Sequence, residues 1–280
     1  MLFLNRTFRK GGDFAPSFSA EIQWSFKKGF TMKSSKLAFS SLLGILFFCM
    51  SLNLWAAETI RVAIYQDKGV GKNGPPRLME ILAEAPEFEA KIVNGQDIRN
   101  GILDQFDLFL LPGGSGLGEA ASMQPEGVEK VKEFVRSGKG YLGICAGAYF
   151  PIQQNFMNAK TKSPLWRRGK AMLELELSDA GLEMFGEEFK GTQIVRYSNG
   201  PIIDINVDPN GPKVEVLSWF RTETAQNDTP VGIQVNSPAM VRTTYGKGHI
   251  ITFSPHPESS DTLKFFVPRA LHYLKAQQTN

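Results

Sequence analysis

Apolar positions along this chain fall into two kinds of run, and their order predicts the fold. Ile60-Arg61-Val62-Ala63-Ile64-Tyr65, Phe88 to Val93 and Tyr141-Leu142-Gly143-Ile144 are short and β-rich, as strands are. Asp107-Leu108-Phe109-Leu110-Leu111 is continuous and stops at Pro112-Gly113-Gly114-Ser115-Gly116. Such a run suits a central parallel strand buried on both faces. Between the strands the spacing changes to that of helices. Leu78, Met79, Ile81 and Leu82 follow Pro75-Pro76, a favoured helix start. Val128, Val131, Phe134 and Val135 line one face of a second helix, which Gly138 can cap. The alternation predicts an α/β fold, a mostly parallel sheet with helices on both faces.

The C-terminal half reads differently. Gln193 to Tyr197, Val214 to Phe220, Val231 to Val235, Ala239 to Tyr245 and His249 to Phe253 are predicted strands. Tyr245-Gly246-Lys247-Gly248 is a hairpin connection, so these are extra antiparallel strands. A last helix, about Asp261 to Gln277, is expected to be interrupted or kinked at Pro268. No repeat or low-complexity linker divides residues 58–280, which read as a single domain.

The N-terminus is another matter. Residues 1–31 lack periodicity and read as a non-native or unstructured extension. From Met32 the order is basic (Lys33, Lys36), apolar (Leu42 to Met50), then small (Ala56-Ala57), which is the order of a signal peptide over residues 32–57. The expectation is export to the periplasm or medium, with cleavage after Ala56 or Ala57. The rival reading is an uncleaved anchor, since Leu37 to Ala56 reaches the ~20 residues a bilayer needs. The formal charge of +3 belongs largely to this segment, which holds Arg6, Arg9, Lys10, Lys27, Lys28, Lys33 and Lys36 against Asp13 and Glu21. The remainder is slightly acidic, so nucleic acid is not an expected partner, and no membrane contact is expected after cleavage. Of the two cysteines, Cys49 lies in the signal, which leaves Cys145 without an internal disulfide partner.

Cys145 stands where chemistry is expected. A nucleophile elbow is a strained strand-to-helix turn, and it needs glycine on either side of the reactive residue. Gly143-Ile144-Cys145-Ala146-Gly147 has that spacing and follows a strand. A helix starting at Ala146 turns its positive end toward the sulfur, which favours thiolate. A buried cysteine among core glycines would show the same spacing. Ser254-Pro255-His256-Pro257-Glu258 also follows a strand. Histidine is the usual base for a thiol, and a carboxylate two residues on can fix its tautomer. The bland alternative is a turn histidine between prolines. Backbone N–H groups of Gly113, Gly114 and Ala146 are candidates for an oxyanion hole. His249 and His272 read as structural.

At these three segments the chain resembles the class I glutamine amidotransferase-like superfamily. Within it the chain is most similar to the biotin-protein ligase N-terminal domain family, with Lys162 to Gly169 and Tyr197-Ser198-Asn199-Gly200-Pro201 as softer signs. The resemblance implies a flavodoxin-like sheet and a Cys145–His256–Glu258 triad. It also implies a substrate pocket, for which Tyr149, Ser115, Trp166, Tyr197 and Asn199 are candidates. Glutamine-hydrolysing relatives usually carry Gln where Tyr149 stands, so glutamine is a doubtful substrate. No glycine- and arginine-rich biotinyl-adenylate loop occurs, so biotin ligation is not expected.

The expected activity is amide-bond hydrolysis or acyl transfer on a small-molecule or peptide substrate, with no cofactor and no metal. The competing expectation is a non-catalytic ligand-binding domain that kept the elbow. Gly69 to Gly74 lacks the Ser/Thr and spacing of a phosphate loop and reads as a loop near the site. Trp166-Arg167-Arg168 is expected to be a surface turn with a packed indole.

Overall fold

The computed structural model describes residues 59–279, so the expected signal peptide and extension lie outside the described residues. Eleven strands run through this part: β1 (Ile60–Tyr65), β2 (Phe88–Val93), β3 (Leu108–Leu111), β4 (Gly140–Ile144), β5 (Ala159–Thr161), β6 (Lys170–Leu177), β7 (Thr192–Ser198), β8 (Ile203–Ile205), β9 (Glu215–Phe220), β10 (Pro238–Tyr245) and β11 (Gly248–Phe253). Nine form one sheet in the order β2-β1-β3-β4-β11-β10-β9-β6-β7, and β5 pairs with β8 in a small ribbon. Every ladder from β2 to β11 is parallel, and every ladder from β11 to β7 is antiparallel. The α/β expectation is borne out, with a parallel half and an antiparallel half meeting at β11.

Helices lie on both faces of the sheet. On one side lie α1 (Gly74–Ala83), α5 (Asp179–Phe185) and α6 (Phe266–Ala276); on the other lie α2 (Gly95–Arg99), α3 (Gly116–Arg136) and α4 (Ala146–Gln153). Strand alternation feeds both layers. Val62, Ile64, Leu108 and Leu110 face the first, while Ala63, Tyr65, Phe109 and Leu111 face the second. All four β3 side chains are fully buried, which explains why that run carries no polar residue. Each such Leu or Phe contributes about 1.5–3 kcal/mol by leaving water.

The structure departs from the sequence reading at four places. Val231 to Val235 is a run of bends and turns. Gly232 takes φ 83°, and Val231 is 77% exposed, so the alternation of apolar residues there has no sheet to join. The last helix begins at Phe266, which places Pro268 in its first turn, where the missing N–H has no helical acceptor to lose. The helix is therefore not interrupted; residues 261–265 are turns. Finally, Lys170–Leu177 is a strand that reading by apolar runs did not pick out, although Leu173, Leu175 and Leu177 alternate with Glu174 and Glu176. The α3 helix also starts earlier than its apolar face suggested, with a break at Gln124 (φ 61°, ψ 165°) before Pro125.

What this arrangement does for function is local. β3, β4 and β11 are neighbouring parallel strands in register, with Leu111 opposite Gly143 and Ile144 opposite Phe253. Their C-terminal ends therefore open at one edge of the sheet, the usual place for ligands in such folds. Pro112-Gly113-Gly114, Cys145 and Ser254-Pro255-His256 are the next residues of those three strands.

Candidate active site

Cys145 joins β4 to α4 with φ 54° and ψ −99°, a conformation that residues with a side chain rarely adopt. Its N–H donates to the Phe253 carbonyl at 2.7 Å, so β11 fixes the turn from one side. The flanking glycines have direct steric reasons. A methyl at Gly143 would overlap the Gly147 carbonyl, and one at Gly147 would overlap the Leu111 carbonyl. These approaches let strand and helix diverge sharply and leave the thiol at the convex point of the turn. The side chain is buried, and Sγ donates to the Ser198 carbonyl at 3.2 Å.

His256 reaches the same place from the end of β11. Its backbone N–H donates to the Arg196 carbonyl at 2.8 Å, which ties it to β7. Its Nδ1 lies 2.7 Å from Oε1 of Glu258, a residue held in the 3-10 turn Pro257–Ser259. The ring also stands beside Cys145, since a Cβ placed on Gly113 would touch both side chains. Burial disfavours the imidazolium, yet hydrogen bonds and negative charge from Cys145 and Glu258 outweigh it and push His256 up to about 10. The structure thus brings Cys145, His256 and Glu258 together in that order.

Beside them runs the loop that follows β3. Gly71 donates to the Gly113 carbonyl and Ser115 to the Gly69 carbonyl, both at 2.8 Å, so the loop is pinned to its neighbour at residues 69–71. The N–H groups of Gly113, Gly114 and Ala146 have no acceptor among the described residues. Unclaimed amides next to a nucleophile can take up negative charge developing on a carbonyl oxygen. Ser115 caps α3, accepting from the Gly118 N–H.

The three groups border a cavity of about 1000 Å³ that also takes in Tyr149, Ser115, Trp166 and Asn199. Tyr149 donates its hydroxyl to the Asn199 carbonyl at 3.1 Å, and burial pushes the phenol well above its usual range. Asn199 takes φ 57°, and its side chain accepts from the Gly169 N–H.

Tyr197 is the pocket candidate that the structure places elsewhere. Strand alternation sends Arg196 and Ser198 to the cavity and Tyr197 into the core, where it is fully buried on Phe220 and donates to the Gly200 carbonyl. Trp166 also departs from expectation. Its indole is 62% exposed at the cavity rim, whereas Arg168 is the buried member of that turn, bonded to the Pro230 carbonyl and 3.5 Å from Glu223.

Sequence reasoning missed Lys72, Arg77, Lys170 and Arg196, all of which line the cavity. Only Lys72, inside a loop already assigned to the site, carried a signal in the chain itself. Among the described residues no three His, Cys, Asp or Glu side chains converge as a metal-ligand set. Nor is any described helix long and apolar enough to cross a membrane.

Comparison with known proteins agrees with the resemblance read from the motifs. Residues 60–163 match the family described as "Biotin-protein ligase, N terminal". An uncharacterized protein of Chlamydia muridarum (strain MoPn / Nigg) is 34% identical over 95 residues, covering 32% of this chain and 37% of that protein. The biotin–protein ligase of Schizosaccharomyces pombe is 29% identical over 89 residues, covering 30% of this chain and 11% of the ligase. The match therefore spans well under half the length of these curated relatives. Among solved structures, PurLQS from Thermotoga maritima superposes on 77% of this chain and 99% of its own, with a TM-score of 0.56 and 18% identity. The likeness to that structure is one of fold.

Proposed function

We infer that this chain, with its class I glutamine amidotransferase-like fold and its match to the N-terminal part of biotin-protein ligase, is a cysteine-dependent amide-bond hydrolase or acyl-transfer enzyme. One observation carries the reading: a positive-φ cysteine at an elbow stands beside a histidine that a buried carboxylate orients. That is the geometry of an activated thiol nucleophile.

The chemistry follows from the charges. With His256 raised to about 10, a proton given up by Cys145 is held on the imidazole at neutral pH. Sulfur attacks the substrate carbonyl, a C–S bond forms, and the oxygen takes the electron pair beside the Gly114 and Ala146 amides. His256 then protonates the leaving amine as the C–N bond breaks, giving an acyl-thioester and free amine. Water or an acceptor amine, deprotonated by His256, attacks the thioester and restores the thiol. Glu258 holds the imidazole in one orientation throughout.

A second reading has one observation in its favour. The Sγ contact to the Ser198 carbonyl suits a resting thiol, as in a binding domain that kept the elbow. Mass spectrometry separates the two. Incubation with amides and peptides is expected to leave an acyl group on Cys145 that is absent from Cys145→Ala. A panel that yields no Cys145 adduct, with a ligand bound unchanged, favours the binding domain.

We also propose that the protein is exported, on the strength of Lys33, Lys36 and the Leu42–Met50 run. The exported protein should begin at Ala57 or Glu58 on N-terminal sequencing. Full-length chain in the cytosol would end this proposal.

A further inference from the structure

Resting on the reading of Cys145 as a nucleophile, we propose that the substrate is anionic: an amide or ester with a carboxylate near its scissile carbonyl. The cavity is flanked by cations on two sides. The loop before α1 supplies Lys72 and α1 itself supplies Arg77, while β6 and β7 supply Lys170 and Arg196. Among the described residues Glu258 is the one acidic side chain in the cavity wall, and its Oε1 is already engaged by His256.

These cations are not equivalent. Arg77 is neutralised locally: Nη2 lies 3.1 Å from Asp261, Nη1 lies 3.4 Å from Glu80, and Nε donates to the Glu258 carbonyl. Lys72, Lys170 and Arg196 have no carboxylate within ion-pair distance among the described residues. Several cations outside the cavity are paired as Arg77 is. Arg136, Arg221, Arg242 and Lys264 each contact a carboxylate at 3.3 Å or closer. Three cations with no carboxylate partner among the described residues therefore stand in the wall around the thiol.

Register explains the placement. In the β6–β7 ladder Lys170 stands opposite Ser198 and Met172 opposite Arg196, so Lys170, Arg196 and Ser198 share one face of the sheet. Ser198 accepts the Cys145 thiol and Arg196 accepts the His256 N–H through their carbonyls. Backbone contacts thus fix Arg196 to His256, and fix Ser198, the ladder partner of Lys170, to Cys145. A guanidinium offers two parallel N–H donors to a carboxylate, and a lysine adds a compact charge. Clefts lined by one sign of charge also raise the local concentration of opposite-charged substrate. At the rim, Leu117 (73% exposed) and Trp166 give the rest of the substrate an apolar surface.

Alkylation of Cys145 by iodoacetate and by iodoacetamide tests this directly. The reagents deliver the same carbon to sulfur and differ in charge. The ratio of second-order rates, iodoacetate over iodoacetamide, should exceed that of free cysteine at least fivefold at low salt. It should fall toward the free value in Lys170→Gln/Arg196→Gln and in 0.5 M salt, because exposed charges are screened. A ratio at or below that of free cysteine, or one unchanged in the double variant, overturns the proposal. Equally slow reaction with both reagents, insensitive to His256→Ala, counts against the nucleophile itself. For that case calorimetry with glutarate on Cys145→Ala decides the anion site. Binding weakened at least tenfold by the double substitution supports it, and binding absent or unchanged overturns it.

Discussion

Gly113 lies so close to His256 that a Cβ at position 113 would stand 2.8 Å from Cε1 of the imidazole and 3.3 Å from Cβ of Cys145. This glycine, two residues past the end of β3, is thus the floor on which thiol and base meet.

Gly113→Ala should accordingly push the imidazole away from the thiol while leaving the sheet in place. The expected result is a Cys145 alkylation rate at least tenfold lower, with a melting temperature within a few degrees of wild type. An unchanged rate would mean that the Cys145–His256 contact tolerates a displaced ring.

The conformation of Cys145 itself carries a cost. Residues held outside their ordinary backbone regions are strained by about 1–3 kcal/mol. Glycine normally destabilises relative to alanine by about 0.5–1 kcal/mol. At position 145 the order should invert: Cys145→Gly is expected to be more stable than Cys145→Ala by about 1 kcal/mol in urea unfolding. If alanine proves the more stable, the elbow is not strained.

Glu119 should give the protein a pH-dependent stability unrelated to the thiol. It is fully buried on α3, and neither carboxyl oxygen has a hydrogen-bond partner among the described residues. Desolvation raises it from 4.5 to about 8. Between those values the folded protein holds a proton that the unfolded chain has released, so stability falls as pH rises through the window. Glu119→Gln removes that slope, by at most about 1.4 kcal/mol per pH unit. Chemical denaturation at pH 5 and pH 8 should show the variant gaining on wild type at the higher pH; a constant difference would contradict the buried, protonated carboxyl.

How much of this was legible in the chain depends on whether the information is local. The elbow was legible because Gly143, Cys145 and Gly147 lie within five consecutive residues and each glycine answers a backbone collision. The parallel strands were legible because β3 and β4 are buried on both faces. Lys170 and Arg196 were not, since their meeting depends on the β6–β7 register, a long-range pairing that no run of residues announces. Val231 to Val235 misled in the other direction. Its apolar alternation resembles a strand, but Gln234 turns its side chain inward to accept from the Thr224 N–H, and the backbone follows. Tyr197 was placed in the pocket because its neighbours belong there, and strand alternation sent it to the opposite face.

Tyr149 bears on substrate choice. Its ring lines the cavity, and its hydroxyl is committed to the Asn199 carbonyl. Purified protein should release little or no ammonia from glutamine above a Cys145→Ala blank, and Tyr149→Gln alone should not create efficient turnover. Robust Cys145-dependent release would show that the tyrosine leaves room for glutamine.

The central claim is that Cys145, His256 and Glu258 act as one unit, and the rate of Cys145 alkylation against pH measures it. Iodoacetamide labelling followed by intact mass, from pH 5.5 to pH 9, should show wild type reacting at pH 6 at least tenfold faster than His256→Ala. Glu258→Gln should fall between them, because the imidazole stays but loses its orienting carboxylate. Three superimposable profiles, with folded protein in each case, would contradict the account and leave Cys145 an ordinary buried thiol.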